Sequence, residues 1–219
     1  MMSSPENYRE EFLVGKSKEE IASRIRNLKR EIGRLKNVLE HPCYECAMRP
    51  GEYVQLKMSY LYLEEAKKAF EELGGTYVPG EAEQKIAKFN EDLDSVAKIT
   101  FEHGSCMGRR KIRTIEVCDD GLKMEEAHRF CFDGEVKTFY SKEKNALIER
   151  LQELNLGGWR KHYDTFRFGV AVMDGKSWSL EISFSNGRRA VRFLGENAYP
   201  YNFDDLEKLF DDFLQREEE

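Results

Sequence analysis

The sequence predicts an α+β protein in which helices come first along the chain and antiparallel strands dominate the remainder. Between residues 17 and 94, apolar residues recur every three or four positions, which is the period of amphipathic helices. From residue 95 onward they alternate with polar residues in short runs separated by glycine-containing turns, which is typical of antiparallel strands. We therefore expect a helical region, 17–94, joined to a sheet domain, 95–219, that is backed by helices.

The helical region begins after a polar stretch, residues 1–16, that lacks periodicity and is predicted to be a flexible arm. Ser17 and Glu20 have the spacing of a capping box, which predicts a helix start, and Pro42 ends that helix. Its apolar residues follow a heptad stripe: Ile21, Ile25, Leu28, Ile32, Leu35 and Leu39.

A second helix is predicted between Pro50-Gly51 and Gly74-Gly75, and a third begins after Pro79-Gly80 and extends to Leu93. The short connection between the first two helices favours an N-terminal antiparallel helical hairpin, in which each helix covers the apolar stripe of the other. The alternative is that the heptad stripe binds a partner or a second copy.

The sheet domain is predicted to contain two similar halves, residues 95–156 and 157–219. Each half has an antiparallel β-meander followed by a helix, and the helices are capped by Ser141 and Asn202. The order suggests an internal pseudo-repeat. The predicted strands are 99–102, 112–118, 122–132, 136–140, 166–173, 178–185 and 188–194.

The last two of these strands form the most specific local pattern in the chain. Apolar and polar residues alternate from Trp178 to Ser185, and Asn186-Gly187 favours a two-residue type I′ hairpin turn. Such a turn determines which residues lie opposite each other: Ser185 with Arg188, Ile182 with Val191, Glu181 with Arg192 and Leu180 with Phe193.

Composition indicates a globular protein of the cytoplasm. The net charge of −6 arises within residues 203–219, so the rest of the chain is balanced and a general polyanion-binding role is disfavoured. No apolar run has the length of a membrane helix, and the N-terminus lacks a signal-peptide pattern. Five irregularly spaced cysteines favour reduced thiols. Since nucleophile-elbow, phosphate-loop and zinc-protease motifs are missing from the sequence, we expect a non-enzymatic protein.

A zinc site is one hypothesis for the cysteines. Cys43 and Cys46 have the spacing of half a zinc knuckle, and His103 with Cys106 has the same spacing. These four residues would complete a tetrahedral site if folding brings them together. The alternatives are unligated thiols and a redox pair.

Basic residues at the strand starts are candidates for nucleic-acid contacts. Arg109, Lys111 and Arg113 would share one face of an extended strand. The alternatives are a charged strand edge and docking to an acidic protein surface. The complete candidate set is Arg109, Arg110, Lys111, Arg113, Arg188 and Arg192.

The loop from Gly195 to Tyr201 is the candidate surface for a protein partner. Exposed tyrosines on a rigid loop are good anchors at interfaces, and the alternative is a plug that seals the core. The candidate residues are Trp159, Asn197, Tyr199 and Tyr201.

Three blocks of the chain, residues 53–89, 100–109 and 174–200, resemble uncharacterised proteins of Firmicutes, especially gut Clostridia. The block 174–188, followed by Gly-Glu-Asn-Ala-Tyr-Pro at 195–200, is the most specific of them. The resemblance implies a lineage and no known activity. The sequence as a whole predicts a protein-binding module, for which a phage or mobile-element inhibitor of a host nucleic-acid enzyme (anti-CRISPR-like) is one form. The alternative is a nucleic-acid-binding accessory protein.

Overall fold

The computed structural model confirms the α+β class and divides the chain into two compact units, Met1–Pro79 and Gly80–Glu219. Six helices and one seven-stranded sheet are present among the residues that the structure describes. Those residues are 4–44, 50–105, 108–129, 136–172 and 175–215.

The first unit contains α1 (Pro5–Phe12), α2 (Lys18–Leu39) and α3 (Glu52–Glu72). Helix α2 begins at the predicted capping box: the Ser17 hydroxyl accepts from the amide of Glu20, and the Glu20 carboxylate accepts from the amide of Ser17. Part of the predicted flexible arm instead forms α1, because Tyr8 is buried and stacks on Tyr62 at 4.1 Å between ring centroids.

Five of the six residues of the heptad stripe of α2 are buried, with Ile21 and Leu35 at 1% and 0% exposure, and Leu39 is half-buried. The start of α2 lies near the end of α3, where the Lys18 ammonium donates to the carbonyl oxygen of Gly74 at 3.1 Å. These observations support the antiparallel hairpin. The hairpin stays a prediction, because its connection includes residues 45–49, which lie outside the described residues.

The second unit is built on a mixed sheet with the strand order β4-β3-β2-β1-β6-β7-β5, in which only β5 and β7 are parallel neighbours. Its elements are α4 (Glu81–Asp92), β1 (Val96–Ser105), β2 (Arg110–Cys118), β3 (Gly121–Arg129), β4 (Val136–Ser141), α5 (Lys144–Glu153), β5 (His162–Asp164), β6 (Lys176–Phe184), β7 (Val191–Glu196) and α6 (Phe203–Gln215). The third predicted helix, α4, therefore belongs to this unit.

One face of the sheet forms the core with α4, α5 and α6. Phe101 of β1 is fully buried, and Phe210 of α6 stacks on it at 5.2 Å between ring centroids. Phe89 of α4 meets Phe193 of β7 edge-on at 6.3 Å. Because side chains alternate along a strand, the other face carries the intervening residues, such as Glu102, which are more exposed.

The β6–β7 register agrees with the sequence prediction, since Ile182 lies opposite Val191 and Leu180 opposite Phe193. The predicted turn type is wrong. A type I′ turn needs positive φ at both central residues, but among the described non-glycine residues only Asn155 and Asn197 have positive φ, so Asn186 does not. Gly187 does adopt positive φ, at 80°.

The predicted strand at 166–173 is also wrong for the part that the structure describes. Phe166–Phe168 forms a short 3₁₀ helix, Gly169 adopts φ of 72°, and Phe166 is 78% exposed. The alternation of apolar residues there did not arise from burial. The seventh strand is instead β5, which precedes this segment. The internal pseudo-repeat stays a hypothesis.

Candidate functional site

The loop that follows β7 is held by hydrogen bonds within the second unit. Asn197 adopts φ of 52°, and its side-chain oxygen accepts from the amide of Lys176 at 2.8 Å. The carbonyl of Ala198 accepts from the Trp178 indole at 2.9 Å. A Cβ on Gly195 would overlap that indole, so glycine is required for this close approach.

The aromatic residues of the predicted partner surface pack mainly inward. Trp159 is 6% exposed, and its indole N–H donates to the side-chain oxygen of Asn202 at 3.0 Å. Tyr199 packs against Phe203 at 4.7 Å between ring centroids, and burial raises the pKa of its phenol. This geometry favours the plug interpretation of the loop. Partner binding by Asn197, Tyr199 and the half-buried Tyr201 stays a prediction.

Acidic partners neutralise most of the basic residues that were candidates for nucleic-acid contacts. Arg113 is buried, whereas Arg109 is exposed. Internal ion pairs lower the positive potential that a phosphate would meet, so this geometry does not favour a nucleic-acid surface. The pairs are Arg110 with Glu102 at 3.0 Å, Lys111 with Glu126 at 2.7 Å, Arg113 with Asp211 at 2.7 Å, Arg192 with Glu181 at 3.8 Å, and Arg188 with Asp92.

Three of the predicted residues, His103, Lys111 and Arg113, come together at one end of the core, in a group that we term the charged cluster. They face the helix side of the sheet, because His103 lies opposite Lys111, and Phe101 lies opposite Arg113, in the β1–β2 register. The cluster consists of His103, Lys111, Arg113, Glu126, Glu207 and Asp211.

Arg113 is the centre of the charged cluster and is only 5% exposed. Its guanidinium contacts Asp211 of α6 at 2.7 Å and Glu126 of β3 at 3.4 Å. The same group approaches the carbonyl oxygen of Glu207 at 3.5 Å. The cluster therefore fastens the C-terminal helix α6 to the sheet.

Burial and neighbouring charges perturb the acids and the histidine of the cluster. Burial, together with the cations Arg113 and Lys111, lowers the pKa of His103 from 6.5 to about 4. The imidazole is therefore neutral at physiological pH, with its Nε2 atom buried and its Nδ1 atom 3.5 Å from Glu207.

The two glutamates of the cluster shift in opposite directions. Burial raises the pKa of Glu207. Burial also opposes ionisation of Glu126, but the hydrogen bond from Lys111 and the charge of Arg113 outweigh it, so the pKa of Glu126 is lowered. Because positive and negative groups neutralise one another, we interpret the cluster as a structural network.

Two of the four proposed zinc ligands, Cys46 and Cys106, lie outside the described residues. Cys43 is exposed, and its amide donates to the imidazole of His41 at 3.1 Å. His103 belongs to the charged cluster. The described part of the chain contains no group of three or more potential ligands arranged for a metal ion. Zinc binding stays a prediction.

Strand β4 was predicted from the sequence but was given no functional role. It lies at one end of the sheet, where β3 pairs with one of its edges and none of the other described strands pairs with the second edge. Val136 and Tyr140 are 56% and 63% exposed, and Thr138 between them is also exposed. The β-branched and aromatic residues at alternate positions of β4 indicate a strand in the sequence. They do not indicate where that strand lies in the sheet.

These three side chains lie on the sheet face opposite the core. Val136 lies opposite Ala127, Ala127 opposite Ile112, and Ile112 opposite Glu102. Phe139, which alternates with them along β4, is half-buried and packs against the core.

Among the described helices, none has the length and apolar character needed to cross a membrane. Comparisons with protein-family models, curated proteins and solved structures give no match for this chain.

Proposed function

We propose that this chain is a non-enzymatic protein-binding module and that the exposed edge of β4 is its contact surface. The observation that carries the proposal is the exposure of Val136 and Tyr140 on a strand at the end of the sheet. An edge strand presents main-chain donors and acceptors that a strand of another protein can pair with. Alternate side chains then provide specificity.

The other candidate surfaces support partner binding less well. Five of the six stripe residues of α2 are buried, and Trp159 packs in the core.

Natural edge strands are protected by charged residues such as lysine, and β4 contains Lys137. This residue lies opposite Glu126 in the β3–β4 register, so its charge has an acidic neighbour across the strand pair.

A phage or mobile-element inhibitor that binds a nucleic-acid enzyme of its host is one form of such a module. Such an inhibitor would bind a protein without needing a catalytic site of its own.

Capture experiments with edge variants test the proposed function. The tagged wild-type protein would be incubated with a lysate of a Clostridia host, after nuclease treatment and at high salt. The edge variant combines Val136→Lys with Tyr140→Lys, which adds charge to two exposed positions. A matched control combines Val14→Lys with Val78→Lys, since both valines are exposed in the first unit.

We expect one stoichiometric protein to bind the wild type and the control and to be lost from the edge variant. Equal capture by the edge variant would contradict the proposed surface. Retention of nucleic acid alone, lost at high salt, would contradict the proposed function and favour the basic residues instead.

A further inference from the structure

We infer that the strand which pairs with the β4 edge comes from a second copy of this chain, related to the first by a two-fold axis at Thr138. The inference rests on the proposed function and names the occupant of the same edge before the host protein binds: a host strand that pairs with β4 would displace the second copy. The side chains that β4 exposes carry it, because their order is self-complementary.

An antiparallel pair of identical strands around a two-fold axis normal to the sheet keeps each sheet face continuous. Residues opposite each other must then belong to the same face, because side chains alternate with a period of two. With the axis at Thr138, Val136 of one copy lies opposite Tyr140 of the other, and the reverse pair forms as well. Thr138 lies opposite its own equivalent.

These are favourable cross-strand pairs. Aromatic side chains pair well with β-branched ones, and threonines pair well with each other on one face of antiparallel strands. The two most exposed large apolar residues of the strand, Val136 and Tyr140, would cover each other. The register therefore removes the apolar surface that β4 leaves exposed in a single copy.

The charge on β4 also favours this register. On the opposite face, Lys137 of one copy lies opposite Phe139 of the other, so no like charges meet. An axis at Lys137 would place two lysines directly opposite each other, which is destabilising. An axis at Phe139 would place Val136 opposite Lys142 and separate Val136 from Tyr140. Thr138 is thus the position at which apolar pairing and charge agree.

Sedimentation of charge variants at the two-fold position tests the inference. Thr138→Lys and Thr138→Glu each place like charges opposite each other in a homodimer, but a mixture of the two places opposite charges there. Thr76→Lys and Thr76→Glu are matched controls, since Thr76 is also exposed and lies in the first unit. Circular dichroism and thermal unfolding would verify that every variant is folded.

We expect the wild type and the controls to sediment as dimers and each Thr138 variant alone as a monomer. The mixture of the two Thr138 variants, with one chain carrying a mass tag, should form a heterodimer. A wild-type dimer that both variants retain would overturn the inference, because its interface would lie elsewhere. Failure of the mixture to associate would overturn the two-fold register at Thr138.

A wild type that is monomeric at every concentration would also overturn the inference. It would leave the proposed function in place if the lysate experiment recovered a different protein that the edge variant loses. A monomeric wild type, together with a lysate experiment that recovers no protein through β4, would contradict both proposals. The sedimentation and capture experiments therefore distinguish a wrong partner from a wrong function.

Discussion

The neutral imidazole of His103 should make the second unit less stable in mild acid, and a His103→Gln variant should remove this effect. Burial and the neighbouring cations lower the pKa of His103 to about 4 in the folded protein, against 6.5 for an unperturbed histidine. The unfolded chain therefore takes up a proton as the pH falls below 6.5, whereas the folded chain resists it until about 4. Stability is lost across this interval.

The size of the effect follows from the two pKa values of His103. Between about pH 7 and about pH 5, the linkage relation gives a loss of about 2 kcal/mol in the free energy of unfolding. The side chain is 28% exposed, so solvent screening reduces this loss only in part. Glutamine is neutral at both pH values, and the variant should lack the loss that this imidazole causes.

Other groups around His103 titrate as well, which makes the comparison between wild type and variant necessary. The raised pKa of Glu207 acts in the opposite direction, because the folded chain binds that proton first as the pH falls. The lowered pKa of Glu126 costs stability only below about pH 4.5, outside the interval. Lys111, Arg113, Lys176 and Asp211 also contribute charge at His103.

Urea unfolding followed by tryptophan fluorescence is a suitable assay, because the only two tryptophans, Trp159 and Trp178, are buried in the second unit. The variant His162→Gln controls for the loss of a histidine at the surface. An unfolding free energy with the same pH dependence in wild type and His103→Gln would refute the reasoning. So would a wild type that gains stability relative to the variant in acid.

Two further predictions compare buried and exposed positions by urea unfolding, and a third concerns a helix cap. Arg113→Ala should destabilise the second unit by about 2–3 kcal/mol, because it removes a buried guanidinium together with its charge-assisted contacts to Glu126 and Asp211. Arg192→Ala on the surface should cost less than about 1 kcal/mol; similar losses would contradict the central position of Arg113. Leu180→Ala should cost about 2–5 kcal/mol through cavity formation, and Leu194→Ala, at 38% exposure, clearly less. Ser17→Ala should destabilise the first unit by about 1 kcal/mol through loss of the helix cap, measured by circular dichroism; an unchanged midpoint would exclude a stabilising cap.

Local features of the fold could be predicted from the sequence where short-range chemistry determines them. The β6–β7 register follows from alternation on both sides of a short turn, and the start of α2 follows from Ser17 and Glu20. The segment after Phe166 was misassigned because alternation alone does not distinguish a buried strand from an exposed loop. Gly169, in the left-handed region, interrupts the chain there.

The charged cluster could not be assembled from the sequence, because its members are distant along the chain. Arg113 of β2 contacts Asp211 only because α6 packs on the sheet face from which the Arg113 side chain projects. The edge position of β4 could not be predicted from the sequence for a similar reason. Its residues predict a strand, but only the order of strands in the sheet makes it an edge.

Amide hydrogen exchange along β4 tests the central claim most directly. The wild-type protein would be measured alone, diluted to its monomeric form, and again in the complex with the protein it captures, whether a second copy or another chain. The account predicts slower exchange within Val136–Ser141 in the complex, because edge amides gain hydrogen-bond partners on strand addition. Unchanged exchange along β4, with slower exchange elsewhere on the chain, would contradict it.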